Sequence, residues 1–290
     1  MHHFRIFIEI TRLNKPIGFM LLFWPCSWGL AYANYFNQNL NQLIYFSILF
    51  FLGSVLMRSA GCIFNDIADR NFDKKVQRTK SRPITSGKIS VKHSISYVLA
   101  LCLLAFLILI QFNFFTIMLG ISSMSLAFTY PFMKRYTYWP QLFLGITFNW
   151  GILMAWVALN NSISLEIIIL YFSAIFWTLG YDTIYGAQDI VDDEIIGLKS
   201  TAIKFKKNIK EFILMCYLIF TSGILYLFKS HIELNLTTFF LTLFILSIFI
   251  QVKEFDISNN SKMLKLFKVN NISGLILFIS FLTISFNYEI

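Results

Sequence analysis

One apolar run of the chain carries Arg58, Asn65, Asp69 and Asp73, four polar side chains whose spacing lets them act together. At about 100° per residue, with Asn65 as zero, Arg58 falls at roughly 20°, Asp69 at roughly 40° and Asp73 at roughly 80°, so one helix would carry all four on one wall. Carboxylates at i and i+4 repel each other, and such a pair calls for a cation. Asp182, Asp189 and Asp193 repeat the pattern downstream at roughly 0°, 340° and 20°, while Asp192 and Glu194 point elsewhere. With Asp66, these motifs hold eight of the 15 acidic residues in a chain of net charge +9. Oxygen ligands of this kind suit Mg²⁺, a hard cation usually bound by one or two carboxylates plus substrate phosphates and water. Two such sites with cations nearby imply a diphosphate held between them.

The cations are at hand. Arg78, Lys80 and Arg82 follow Asp73 in a basic loop, and the paired Lys134 and Arg135 end the segment Tyr130-Pro131-Phe132-Met133-Lys134-Arg135. Charge alone would also explain both groups as topology signals. Arg58 differs, because it lies about 16 Å deeper along the helix than Asp69 by rise per residue. An arginine at that depth is costly and marks a functional position. It either pairs internally with Asp66 or another carboxylate, or its planar fork clamps a carboxylate of the substrate.

Long apolar helices must position these groups. Of the 290 residues 57% are hydrophobic and 13% charged, 33 are Phe, and the mean hydropathy is +0.66. That composition needs the bilayer as solvent. Spans of about 20 residues are expected at 17–36, 43–64, 94–110, 114–132, 140–159, 165–185, 212–228, 236–252 and 272–286. The fold class is therefore all-α, an integral membrane bundle of about nine transmembrane helices with the two aspartate-rich motifs at cytoplasmic helix ends, and 1–290 form a single domain. Of the 24 Lys and Arg residues, Lys229 alone falls on the opposite side and Arg58 lies within a span. The positive-inside rule then puts the N-terminus in the cytoplasm and the C-terminus outside. The basic excess reports topology and gives no ground for a nucleic-acid partner.

Other features are plainer. Cys26, Cys62, Cys102 and Cys216 fall within spans, without a CxxC pair or a nearby His, and read as small apolar residues. Residues 1–16 predict an interfacial helix that anchors the chain at the membrane surface, without the pattern of a cleavable signal. Asn149 and Trp150 read as helix-packing residues. Beyond Glu254 the sequence offers only lipid-facing or packing residues.

A diphosphate site at the membrane surface beside such helices implies a lipid diphosphate, and an allylic one suits the chemistry. Metal and cations stabilise charge on the departing diphosphate, aromatic faces support the allyl cation, and exclusion of water prevents its quenching. A cation-coupled transporter would also explain intramembrane acids, but its charges belong near the bilayer midplane. An intramembrane metalloprotease would need an HExxH pair, which the chain lacks.

Taken in order, Asn65-Asp66-x-x-Asp69-x-x-x-Asp73, the run from Arg78 to Pro83, the run from Tyr130 to Arg135, the run from Tyr181 to Asp193 and Gly197-Leu198-Lys199-Ser200-Thr201 closely resemble the UbiA family of membrane prenyltransferases. The branch that prenylates 4-hydroxybenzoate in ubiquinone biosynthesis is the most similar, and Leu22-Phe23-Trp24-Pro25 and Arg58-Ser59-Ala60-Gly61-Cys62 also look like it. The motifs cover roughly 13–201, and the last three spans match only in hydropathy. The resemblance implies a nine-helix bundle in a bacterial inner membrane, around a cavity open to the cytoplasm. It implies Mg²⁺ on Asn65, Asp69, Asp73, Asp189 and Asp193, the four aspartates being catalytic, with Asp182 in the same pocket. Phosphate would rest on Arg82 and Lys134, and the aromatic carboxylate on Arg58. The partners would be a polyprenyl diphosphate and 4-hydroxybenzoate, with the prenyl group joined ortho to the phenol and diphosphate released. Within the fold, relatives with other acceptors stay open, and no side chain identifies itself as the base for the ring proton.

Overall fold

The computed structural model describes residues 2–77 and 79–286. An amphipathic helix, α1 (His2–Thr11), precedes nine long helices: α2 (Ile17–Asn37), α3 (Leu40–Ala68), α4 (Val91–Leu109), α5 (Phe114–Thr129), α6 (Pro140–Asn160), α7 (Leu165–Gly186), α8 (Ile209–Phe228), α9 (Leu236–Glu254) and α10 (Asn260–Phe286). Among the described residues there is no strand. Eight of the nine belong to segments long and apolar enough to cross a membrane. The exception is α2, whose Trp24, Pro25, Trp28, Tyr32 and Asn34 lower its hydropathy but are all buried. It is a central helix, packed against α3, α6 and α10. The chain is a multi-pass membrane protein.

Local chemistry sets the helix ends. Asn39, Ser90, Asn113, Ser164 and Asn235 each accept a backbone N–H of the first turn of α3, α4, α5, α7 and α9, as N-caps do. α2 and α6 end on left-handed residues, Gln38 at φ 48° and Asn161 at φ 50°, which frees their last carbonyls to be capped. Indole N–H groups stitch the interior: Trp24 donates to Asn271 Oδ1, Trp28 to the Gly274 carbonyl and Trp177 to Asn270 Oδ1, each at 2.9 Å. Asn270 in turn donates to Gln251 Oε1 at 2.8 Å. These bonds tie α2, α7 and α9 to α10 where no water could serve instead.

Three expectations need correction. α10 begins at Asn260 rather than at 272, because its polar first half is helical and its asparagines are satisfied by indoles. The apolar face of α1 does not rest on the membrane alone: Ile6 and Ile10 are buried in a cluster with Ile63, Ile84 and Val98. Nor do the two acidic motifs lie on unbroken helices. α3 stops at Ala68, Asp69 caps it through a backbone bond to Asn65, and Arg70–Asp73 forms a separate turn. α7 stops at Gly186, followed by a 3₁₀ turn Ala187–Asp189 and a short helix Ile190–Ile196. Asp and Asn weaken a helix by offering local backbone partners, and Gly186 weakens it further.

Candidate active site

The breaks fold both acidic motifs over one recess of about 220 Å³, lined by Asn65, Asp69, Asp73, Asp182, Asp189 and Asp193. Arg82 and Lys134 line it too. Ion pairs brace its cations. Arg82 donates to Asp66 Oδ1 at 3.1 Å and to Asp73 Oδ2 at 2.8 Å, while Arg12 donates to the same Asp66 oxygen at 2.7 Å. Asp66, 2% exposed, is thus occupied in holding two arginines. Lys134 donates to Asp69 Oδ2 at 2.5 Å, and Arg135 donates to the Ala68 carbonyl at 2.6 Å, capping the end of α3. Arg135 is itself held between the rings of Phe72 and Phe132 at 5.0 and 4.9 Å.

Burial pushes the Asp73 carboxyl above its ordinary value, and Arg82 beside it acts the other way. Burial would make Arg12 less basic, and the Asp66 carboxylate together with Cys62 more than offsets it, so that Arg12 stays charged. The second motif is fastened from below: Lys199 N–H donates to the Lys134 carbonyl at 2.8 Å, and Thr201 N–H to Gln141 Oε1 at 3.0 Å.

The recess opens into a cavity of about 1210 Å³, with Asn65, Arg82, Tyr130, Asp182 and Tyr185 shared between the two. Its deeper walls are apolar, from Leu21, Phe50, Phe112 and Met154 among others. Arg58 enters it from α3, its guanidinium 5.5 Å from the Phe148 ring centre. On the other side lies Gly18, whose missing Cβ would stand 2.8 Å from Arg58 Nε. That nitrogen is buried and without a hydrogen-bond partner among the described residues. Arg58 is not the internal partner of Asp66: Arg12 and Arg82 take that carboxylate.

The donor set of the recess fits a hard divalent cation. It offers the side-chain oxygens of Asn65 and of the aspartates that line it, and Asp69 Oδ1 is buried with no hydrogen-bond partner among the described residues, Arg135 standing 3.6 Å away. Among the described residues no three carboxylate, imidazole or thiolate groups enclose a metal by themselves.

The structure therefore gathers Asn65, Asp69, Asp73, Arg82, Lys134, Asp182, Asp189 and Asp193 at one recess and puts Arg58 in the adjoining cavity. Lys80 is exposed and lines neither space. Arg78 lies outside the described residues. The sequence did not single out Arg12, Phe148 or Gly18; the proximity of Arg12 to Pro16 at the end of an amphipathic helix was the only local signal.

A model of the UbiA prenyltransferase family matches residues 22–282. The 4-hydroxybenzoate polyprenyltransferase, mitochondrial, of Caenorhabditis elegans is 45% identical over 208 residues, covering 71% of this chain and 58% of that protein. The chain thus spans little more than half the length of the curated relatives it matches. Among solved structures, the apo UbiA homolog from Aeropyrum pernix K1 superposes with a TM-score of 0.77 at 24% identity, covering 91% of this chain and 97% of that one. A UbiA homolog from Archaeoglobus fulgidus bound to DMAPP and Mg²⁺ does so with a TM-score of 0.67 at 16% identity, covering 96% and 99%. Both likenesses are of fold.

Proposed function

The chain belongs to the UbiA prenyltransferase family, and on that premise we propose that it transfers a polyprenyl group from an allylic polyprenyl diphosphate to 4-hydroxybenzoate. The observation that carries this reading is the division of one continuous space. An acidic recess with paired cations sits at the basic helix ends, and a large apolar cavity holding Arg58 adjoins it. The name of the Caenorhabditis elegans relative and the DMAPP and Mg²⁺ bound to a fold neighbour point the same way.

In this reading Asn65, Asp69, Asp73, Asp189 and Asp193 would hold Mg²⁺, which would offset the charge gathering on the departing diphosphate. Arg82 and Lys134 sit within the recess to receive phosphate oxygens, and Asp66 with Arg12 orients Arg82. Asp182, shared by both spaces, lies where the allylic carbon would pass between them. The C–O bond of the donor breaks, the rings of Tyr130 and Tyr185 stand by to stabilise the allyl cation, and a C–C bond forms at the ring carbon ortho to the phenol. The ring proton leaves to water or diphosphate. Arg58 fixes the acceptor by its carboxylate through two parallel hydrogen bonds. The described helices act as one prenyltransferase unit.

In our reading the membrane is an inner one, with the site on its positively charged face. The curated relatives carry "mitochondrial" in their names, which leaves the bacterial placement without their support.

The test is transfer of a radiolabelled prenyl chain from its diphosphate to 4-hydroxybenzoate by the purified protein in lipid nanodiscs, with and without Mg²⁺. Labelled prenyl-hydroxybenzoate formed only with Mg²⁺ is expected. Failure with every chain length would return a relative with another acceptor, or a cation-coupled transporter, to first place.

A further inference from the structure

The sequence gives α10 nothing beyond packing, yet the helix forms one wall of the large cavity. Leu264, Phe267, Lys268 and Asn271 stand at i, i+3, i+4 and i+7, and all four line it. The rotation of this stripe is fixed from both sides. Trp24 holds Asn271 and Trp177 holds Asn270, each at 2.9 Å, while the Phe267 ring lies 4.7 Å from Tyr185 and 5.8 Å from Tyr181.

Lys268 therefore stands on the cavity side of α10. It lies eight residues into the helix, about 12 Å from its start by rise per residue.

Lys268 differs in its pairing from the four cations around the acidic recess, though not from Lys15, which also lines the large cavity, exposed and without a side-chain ion pair among the described residues. Arg12, Arg82, Lys134 and Arg135 all face carboxylates. Lys268 is exposed, and no hydrogen bond or ion pair engages it among the described residues. It lines the large cavity with Arg58 and is absent from the acidic recess. Levels along the bundle also agree. With the Trp24–Asn271 contact as reference, Gly18, which touches the Arg58 guanidinium, is six residues or about 9 Å toward the basic face, and the Lys268 backbone is three residues or about 4.5 Å the same way. Side chains lean toward the N-terminus of their helix, which for α10 is the basic face. Extended that way, the ammonium would come to about the level of Arg58, which lines the same cavity.

We propose that Lys268 is the second cationic contact for the acceptor's carboxylate, facing Arg58 from the last helix. This rests on the reading that the acceptor is an aromatic acid bound at Arg58. A point charge on a flexible stem complements a planar fork: Arg58 fixes orientation, and Lys268 draws the anion in and screens its burial.

The test compares steady-state kinetics of the full chain in nanodiscs for wild type, Lys268→Gln and Lys268→Arg, with donor and acceptor varied separately. Expected are a KM for 4-hydroxybenzoate raised about tenfold or more in Lys268→Gln, an unchanged KM for the prenyl diphosphate, a smaller salt dependence of the acceptor KM, and recovery in Lys268→Arg. Wild-type transfer with an acceptor KM unmoved by Lys268→Gln overturns the role of Lys268 alone. A raised donor KM overturns it too, in favour of a phosphate contact. Absence of transfer to 4-hydroxybenzoate by the wild type overturns both this proposal and the reading beneath it.

Discussion

Gly18→Ala separates function from stability at one position. Its Cβ would stand 2.8 Å from Arg58 Nε, 3.4 Å from Nη2 and 3.5 Å from Cζ, inside the ~3.5–4.0 Å at which non-bonded atoms settle. The obstacle is the end of a flexible side chain, so the backbone can stay and the guanidinium must withdraw. Moving it out of register with a bound carboxylate forfeits a charge-assisted hydrogen bond worth ~1.5–3 kcal/mol, or about tenfold to 150-fold in acceptor KM. The fold should not suffer, since Gly18 is the second residue of α2 and its backbone has no positive φ to strain an Ala. Gly29→Ala is the contrast. There the Cβ would meet the Ile152 carbonyl oxygen at 2.7 Å and Ile152 Cα at 3.3 Å, backbone that cannot step aside, and overpacking costs ~1–3 kcal/mol. The assay is thermal unfolding in detergent beside acceptor and donor KM values in nanodiscs. Gly18→Ala should keep or raise Tm and weaken only the acceptor, while Gly29→Ala should lower Tm. An unchanged acceptor KM in a folded Gly18→Ala protein would refute the placement of Arg58 as the carboxylate clamp.

Asp69→Asn and Asp193→Asn should each abolish Mg²⁺-dependent transfer without loss of folded protein; wild-type turnover in either removes that residue from the metal set. Arg12→Gln should leave Arg82 alone on Asp66 Oδ1, which the two share, and so draw it from the phosphate and raise donor KM several-fold with acceptor KM unchanged; equal shifts in both would show a general loss of fold. Trp177→Phe deprives Asn270 of its indole donor and should cost ~1–3 kcal/mol for a buried acceptor left short of a bond, read as a lower Tm with little change in either KM.

The helices were legible because apolar runs of membrane length are a strong signal, and both acidic motifs because carboxylates are rare in such a chain. Three things were not. The polar first half of α10 reads as loop until Trp24 and Trp177 are seen to satisfy Asn271 and Asn270, a pairing across more than 90 residues that no local pattern contains. Helical angles placed Asp69 and Asp73 on one wall correctly in effect but for the wrong reason, since a turn at Asp69 rather than a continuous helix brings Asp73 inward. Arg12 looked like membrane-surface charge because its partner, Asp66, is 54 positions away. Arg58 was the informative exception: its depth alone marked it, and only Gly18 and Phe148 show what holds it.

The division of one cavity between donor and acceptor is tested most directly by equilibrium binding of each labelled substrate to two variants, Arg58→Ala and Asp193→Asn, in nanodiscs with Mg²⁺. A divided cavity predicts that Arg58→Ala loses 4-hydroxybenzoate and keeps the prenyl diphosphate, and that Asp193→Asn does the reverse. Loss of both ligands from either folded variant, or of neither from both, would contradict it.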